Sequence, residues 1–426
     1  MDEKDEKKEP QEEHSYSFLQ ETIKKDDLTT RKGRRRIARI IIGGFLFGLF
    51  ACLGFFAVRP WAQNHLQGNP DEITIPADEN AADGTEDTND ILLEDEAAQI
   101  LDGSSYQELL KKVDSVADQA KKSVVAVKST DHTEEVTDAQ SEEEAVKSES
   151  GLLIADNGQE LLILTTVSVI SQNSDLTVTF CDNAEYAAAL KKQDKNLGLA
   201  IVSISRDEIS ESTWENISVA ELGNSRIVYQ GDLVITLGNV FGYAGGQGYG
   251  IISSTEYKAE LSDGAYGILA TDIATMEKGT GALFNLEGEV IGVVMPGIWE
   301  NESGLLANAY AISDLKTEIE LLSNGSSVPY VGVHGTYITK ELAEQQEIPQ
   351  GLYVNQVDAD SPALTAGIQS GDIITKVGDT SLTSLESYER AVVGRTVGGN
   401  VKIKARRRSN NGYVDIDFTV KIGSLE

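Results

Sequence analysis

Apolar positions between residues 123 and 322 fall in short runs, not in helical stripes. SVVAVKS, SGLLIA, ELLILTTVSVI, LTVTF, LGLAIVSI, GDLVITLG, GYGIISS, YGILATDI, GEVIGVVM and NAYAI follow one another with turn residues between them. Runs of this kind, spaced by roughly ten residues, predict the strands of a sandwich or of closed barrels. Gly158, Gly231, Gly238, Gly242, Gly264 and Gly288 lie where such strands must turn. Ahead of them, Tyr106–Lys122 sets Leu109, Leu110, Val113, Val116 and Ala120 at helical spacing, predicting a helix that leads into the first strand. Near the C-terminus, Leu385–Val393 has helical character, while Val401–Ala405 and Val414–Phe418 alternate as strands.

One apolar stretch is of another kind. Ile40 to Val58 carries no charge, and as a helix it would be roughly 28 Å long, the thickness of a bilayer core. Arg31, Lys32, Arg34, Arg35, Arg36 and Arg39 precede it, and Arg59 follows. That asymmetry predicts a cytoplasmic N-terminus and an extracytoplasmic remainder. The long charged leader and the lack of a small-x-small cleavage site favour an uncleaved anchor over a signal peptide. Gly44 and Gly48 form a GxxxG, a weak sign of helix pairing.

The formal net charge of -33 repels phosphate backbones and excludes nucleic-acid binding. Acids crowd residues 66–99 without a Lys or Arg, as in a self-repelling, extended spacer. No EF-hand spacing, HExxH, CxxC or Walker glycine pattern occurs, so neither a metal nor another cofactor is expected. Cys52 and Cys181 are the only cysteines and fall in dissimilar surroundings, which argues against a disulfide. The four histidines are His14, His65, His132 and His334.

Several segments together resemble the HtrA/DegP family of trypsin-fold serine proteases. They are GDLVITLGNVFG (231–242) with the following GYGIIS, TDIATMEKGTGALFNLEGEVIGVV (271–294) and AYAISDL (309–315). The resemblance extends over roughly residues 105–426 and implies two six-stranded barrels with a cleft between them. It also locates three slots where acyl transfer needs a histidine base, an orienting aspartate and a serine nucleophile. In Leu164–Ile170 the histidine slot holds Ser168; in Leu197–Val202 the aspartate slot holds Gly198. In Glu277–Leu283, against the family's G-N-S-G-G-x-L, the serine slot holds Gly279, with Glu277, Lys278 and Thr280 as neighbours. Glu277 stands where a glycine is expected, and a carboxylate there opposes a developing oxyanion. His132 lies about 36 residues before its slot, in a charged loop. A dyad of Lys278 with Thr280 or Ser168 would need a desolvated lysine.

SPALTAGIQSGDIITKVGDTSL (361–382) resembles the core of a bacterial PDZ domain. Ser361 suits an N-cap and Pro362 the first helical position. Gly367 closes that helix, and Gly371-Asp372 turn the chain into the next strand. The resemblance implies that Tyr330, Val331, Gly332 and Val333 form a carboxylate-binding loop. It further implies that the strand from His334 and Gly335 to Ile338 pairs with a peptide, and that Tyr388 and Val392 wall its side-chain pocket. Arg406, Arg407 and Arg408 read as a solvated hairpin.

The expected class is mainly β: a chymotrypsin-like double β-barrel, then an α/β PDZ domain, with one N-terminal transmembrane helix. The expected division is 1–39 cytoplasmic tail, 40–58 transmembrane helix, 59–105 acidic disordered linker, 106–322 trypsin-like domain and 328–424 PDZ domain. The leading function is a pseudoprotease that binds unfolded segments or protein C-termini. It would serve envelope quality control or regulate active homologues, as a homo-oligomer (a trimer by resemblance) or in a mixed oligomer. The alternatives are a serine endopeptidase with an unconventional site and a transmembrane sensory scaffold.

Overall fold

A computed structural model of the chain describes residues 70–78, 103–131, 146–171, 174–298 and 305–426. The expected tail and membrane helix, most of the acidic stretch, and His14, His65 and His132 lie outside these residues. Among the described residues no helix is long and apolar enough to cross a membrane.

The apolar runs form two closed six-stranded barrels. The first comprises β1 (Val124–Asp131), β2 (Val146–Asp156), β3 (Glu160–Thr166), β4 (Ser174–Thr179), β5 (Glu185–Asp194) and β6 (Leu199–Ser205), ordered β1-β2-β3-β6-β5-β4. The second comprises β7 (Leu233–Asn239), β8 (Gly246–Leu261), β9 (Gly264–Thr271), β10 (Thr280–Phe284), β11 (Val290–Val294) and β12 (Ala309–Ala311), ordered β10-β11-β12-β9-β8-β7.

Both faces of the central strands are covered, each by a different core. On β3, Leu161 and Ile163 join Val125, Val127 and Val178 inside the first barrel. Leu162 and Leu164 join a core shared with the second barrel. On β6, Val202 and Ile204 face inward and Leu199 and Ile201 enter the shared core. On β10 and β11, Leu283, Ile291 and Val294 fill the second barrel while Ala282, Phe284, Val290 and Val293 enter the shared core. A strand buried on both faces needs apolar residues at successive positions, which explains runs in place of alternation. Each Leu or Ile buried there contributes about 2 kcal/mol.

Two helices close the shared core. Helix α1 (Gly103–Ala120) buries Val113, Ala117 and Ala120, with Val116 partly buried, while Leu110 stays 43% exposed. The stripe is therefore rotated toward Ala117 relative to the sequence expectation. Helix α2 (Ile312–Ser323) inserts Ile312, Leu315, Ile319 and Leu322.

The described part of the acidic stretch is not a free spacer. Residues 70–78 lie along α2. Ile73 N donates to Asn324 Oδ1 (2.9 Å) and Ile75 N to Glu320 Oε2 (2.6 Å), and both isoleucines pack on the shared core. Asp78 pairs with Lys316 at 2.7 Å, both largely buried. Apolar Ile73 and Ile75 and a buried cation outweigh the self-repulsion that predicted an extended chain.

The C-terminal domain is a sheet ordered β13-β14-β15-β17-β18. Its strands are β13 (Val333–Ile338), β14 (Gly351–Val357), β15 (Ile373–Val377), β16 (Thr380–Ser381), β17 (Asn400–Ser409) and β18 (Gly412–Lys421), with β16 beside β15. Helix α3 (Pro362–Ala366) starts as expected: Ser361 Oγ accepts from Leu364 N at 3.1 Å. It ends at Gly367, whose φ of +91° favours glycine. Helix α4 (Leu385–Val393) begins with a reciprocal Ser384–Ser387 capping box and buries Tyr388, Ala391 and Val392. The expected solvated arginine hairpin needs one correction. Arg407 clamps the buried Asp372 carboxylate at 2.6 and 2.8 Å, donates to Gly367 O at 2.9 Å and lies over the Phe418 ring. It therefore ties the turn before β15 to β17.

Candidate functional site

The three slots lie in the β3–β4 connection (Ser168), the β5–β6 turn (Gly198) and the loop entering β10 (Gly279). Ser168 is exposed; its Oγ is 2.6 Å from Thr166 Oγ1 and donates to Glu149 Oε1 at 3.1 Å. Gly198 has φ +74°, and its carbonyl accepts from Val167 N at 2.9 Å. A Cβ there would lie 3.1 Å from Met295 Cε.

The Gly279 loop closes on itself. Met276 N and Thr275 Oγ1 both donate to Val240 O, at 2.9 and 2.8 Å, and Gly279 N donates to Met276 O at 2.9 Å. A Cβ on Gly279 would stand 2.1 Å from Thr275 Oγ1 and 2.5 Å from Val240 O. A serine cannot occupy this backbone, and the N–H that an oxyanion would need is already satisfied. Thr280 is fixed across the barrels: its buried Oγ1 accepts from Ser150 N (2.9 Å) and its carbonyl from Ser150 Oγ (2.8 Å). Glu277 and Lys278 are exposed, so the lysine lacks the desolvation a base would require.

Glu149 was not singled out from the sequence. Burial raises its carboxyl above the ordinary value, opposed by the Thr280 and Ser168 hydroxyls and by Lys278 and Lys147. A carboxyl beside hydroxyls is thus present, but no imidazole; the one histidine among the described residues is His334, in the C-terminal domain. A cavity of about 230 Å³ opens between the barrels, with Val125, Glu149 and Phe180 on one side and Leu237, Asn239 and Gly246 on the other.

The second candidate site is the loop before β13. Gly332 has φ +87°, and a Cβ there would meet Ser361 Cβ at 2.4 Å, so only glycine fits. This turn aims three successive amides at one point, an anion-binding nest. The point is occupied. Val331 N and Gly332 N donate to Asp263 Oδ2 (2.6 and 2.8 Å), and Val333 N to Asp263 Oδ1 (3.0 Å). Tyr388 OH donates to Oδ1 at 2.7 Å. Asp263 belongs to the β8–β9 turn of the second barrel. Burial raises its carboxyl above the ordinary value, against the pull of the Gly332 amide, the Tyr388 hydroxyl and the Val331 and Val333 amides.

The neighbouring contacts hold the same hairpin. His334 Nε2 is 3.0 Å from Ser262 Oγ and 2.8 Å from Asp358 Oδ1; Tyr330 OH donates to Asp358 Oδ2 at 2.8 Å, and Ser262 Oγ also bonds Asp358. Burial works against the Asp358 charge, but hydrogen bonds from Ser262, Tyr330 and His334 hold its carboxyl below the ordinary value.

The structure therefore brings Tyr330, Val331, Gly332, Val333, His334 and Tyr388 together around one hairpin. Gly335 continues along β13, an edge strand whose partner is β14. Tyr388 and Val392, expected to wall the side-chain pocket, are fully buried in the core of this domain. Asp263 and Asp358 were missed: SDG reads as a turn, and nothing local marks a contact to a loop 68 residues on. Among the described residues no group of three or more His, Cys, Asp or Glu is placed to hold a metal ion.

Comparison with known proteins matches residues 149–293 to a trypsin-like peptidase domain and residues 329–420 to a PDZ domain. The serine protease Do-like HtrA of Lactococcus lactis subsp. cremoris is 27% identical over 299 residues, covering 65% of this chain and 72% of that protein. The probable periplasmic serine endoprotease DegP-like of Hahella chejuensis is 29% identical over 291 residues, covering 66% of this chain and 58% of that protein. Among solved structures, the HtrA-type protease AlgW with decapeptide superposes with a TM-score of 0.52 at 22% identity, covering 74% of this chain and 99% of that one; this likeness is one of fold.

Proposed function

This chain is an HtrA/DegP-like protein, a trypsin-like peptidase domain joined to a PDZ domain, and from that premise we propose that it binds polypeptide without cutting it. In this reading it is a membrane-anchored, extracytoplasmic pseudoprotease. Residues 40–58 anchor it, 106–322 form the barrels and 328–424 the PDZ domain. Its ligands are exposed C-termini or unfolded segments, and it acts in envelope quality control or in oligomers with active homologues. The periplasmic naming of its relatives supports the location.

The observation that carries the reading is the Gly279 loop. A trypsin-fold protease needs a nucleophile there and a free amide beside it. Here the Cβ position is filled by Thr275 Oγ1 and Val240 O, and the amide is bonded to Met276 O. Thr280 does not substitute, since its hydroxyl is buried and accepts from Ser150 N.

The test is a casein-cleavage assay on the detergent-solubilised full chain, beside Ser168→Ala and Thr280→Ala. No turnover above a buffer control is expected from any of the three. Turnover by the wild type that either substitution abolishes would mean a different nucleophile works in the cleft, and the reading would fall.

A further inference from the structure

We propose that Asp263 is an internal ligand of the carboxylate loop. The β8–β9 hairpin offers its side chain in place of a polypeptide C-terminus, so peptide capture and release of the PDZ domain from the barrel form one competition. This rests on the reading that the domain binds C-termini.

The last residue of a chain presents two groups close together: a carboxylate and its own N–H. Asp263 presents the same pair. Its carboxylate takes the amides of Val331, Gly332 and Val333, and its N–H donates to Val333 O at 2.8 Å. The hairpin thus makes both interactions of an added terminal residue, the recognition mode of an extended peptide on a sheet edge.

The residue does more than form the turn. Asp263 has φ +64°, tolerated by Asp but favourable for Gly. It is also buried, and a buried carboxylate persists only where donors compensate its desolvation. Four donors do so here. Ser262, bonded to His334 and Asp358, fixes the approach of the hairpin.

Each amide of the nest donates along one direction, so Asp263 and an incoming α-carboxylate exclude each other. The apparent peptide affinity is then the intrinsic affinity scaled by the fraction of molecules with the hairpin withdrawn. A ligand shifts that balance only because it prefers the withdrawn state. Glu426 lies away from the nest, its side chain paired with Lys192 of β5 at 2.8 Å.

The experiment uses the full chain in detergent, with Asp263→Gly and Asp263→Asn. Glycine suits φ +64° and keeps the turn while deleting the carboxylate; asparagine keeps the shape and removes the charge. The probe is a fluorescein-labelled hexapeptide pool with apolar last residues, as free acids and as C-terminal amides. Amide exchange of residues 331–333 is followed in parallel. Asp263→Gly is expected to bind the free acids at least tenfold tighter than wild type, Asp263→Asn by an intermediate factor, and the amides not at all. Protection of the three amides should fall in both variants, so a poorly folding glycine variant does not decide the matter alone. Equal affinity in wild type and both variants would overturn the competition while leaving C-terminus binding intact. Binding of free acids by none of the three would overturn C-terminus binding, and the competition with it.

Discussion

The cleft loop at Gly279 and the nest at Gly332 both turn on a glycine with no room for a side chain, yet they differ in what satisfies their amides. At Gly279 the amide bonds inside its own loop, to Met276 O, and the neighbouring Thr275 hydroxyl seals the remaining space. At Gly332 three amides bond a carboxylate from another domain. The first loop is satisfied by its own atoms, so nothing can leave it to expose a function. The second aims three amides at one point and is occupied from outside. A site that is filled from outside can be emptied by competition, whereas a site that has collapsed inward cannot.

The largest effect that separates the two comes from restoring a nucleophile. Gly279→Ser is expected to destabilise the barrels by about 3 kcal/mol, because the new Cβ must displace Thr275 Oγ1 and the Val240 carbonyl. Combined with Ser168→His and Gly198→Asp it should still give no casein cleavage. Urea unfolding and the cleavage assay check the two halves. A stable, active triple variant would show that the loop is as ready for use as the nest, and the contrast would dissolve.

A smaller effect comes from pH. Beside the Asp263 hairpin, Glu389 of α4 lies near Gly264, and Glu318 of α2 bonds the buried Tyr266. Burial first, then repulsion from Glu318, Asp314 and Glu386, raises Glu389 to about 8 despite Lys258. Glu318 rises to about 7 and Asp194 to about 6, chiefly by burial. In the unfolded chain these carboxyls ionise near their ordinary values. Between that range and pH 8 the folded chain therefore holds protons that the unfolded chain has released. Stability should be highest at acid pH within this group, fall as pH rises from the ordinary carboxyl values through the folded values of about 6, 7 and 8, and level off above them. A loss of order 5 kcal/mol is expected, lowering Tm by roughly 10 °C between pH 5.5 and 8.5, with looser docking and tighter peptide binding at the alkaline end. Calorimetry of wild type and Glu389→Gln checks it. A flat or rising Tm would show that the seam is not strained by these acids.

The contrast between the sites also marks what the chain makes legible. The barrels could be read because strands buried on both faces, such as Leu161–Leu164, write their burial as continuous apolar runs. Helix α3 could be read because Ser361, Pro362 and Gly367 each act on their immediate neighbours. The slots held by Ser168, Gly198 and Gly279 were legible only by resemblance, and the tightness of the Gly279 loop depends on Val240, far away in sequence. Asp263 stayed hidden for the same reason. Its identity as a turn residue is a local fact, while its partners belong to a different domain. Arg407 read as a solvated charge because its partner Asp372 sits on another strand's entry turn. Ile73 and Ile75 were masked by the acids around them, though their apolar side chains decide where that segment lies.

The smallest change examines how closely Asp263 imitates a terminus. Tyr388→Phe removes one hydroxyl and leaves the buried ring in place, since Tyr388 packs in the PDZ core. Losing one hydrogen bond to a charged acceptor should cost about 2 kcal/mol of stability. If an incoming α-carboxylate takes the position of the Asp263 carboxylate, it loses the same bond, and the two losses cancel in the competition. The expected result is a lower urea midpoint with free-acid affinity changed less than twofold. A gain of about thirtyfold, the equivalent of that ~2 kcal/mol, would instead mean that the hydroxyl serves the hairpin alone. In that case the imitation would end at the three amides, and Tyr388 would be a latch specific to the closed state.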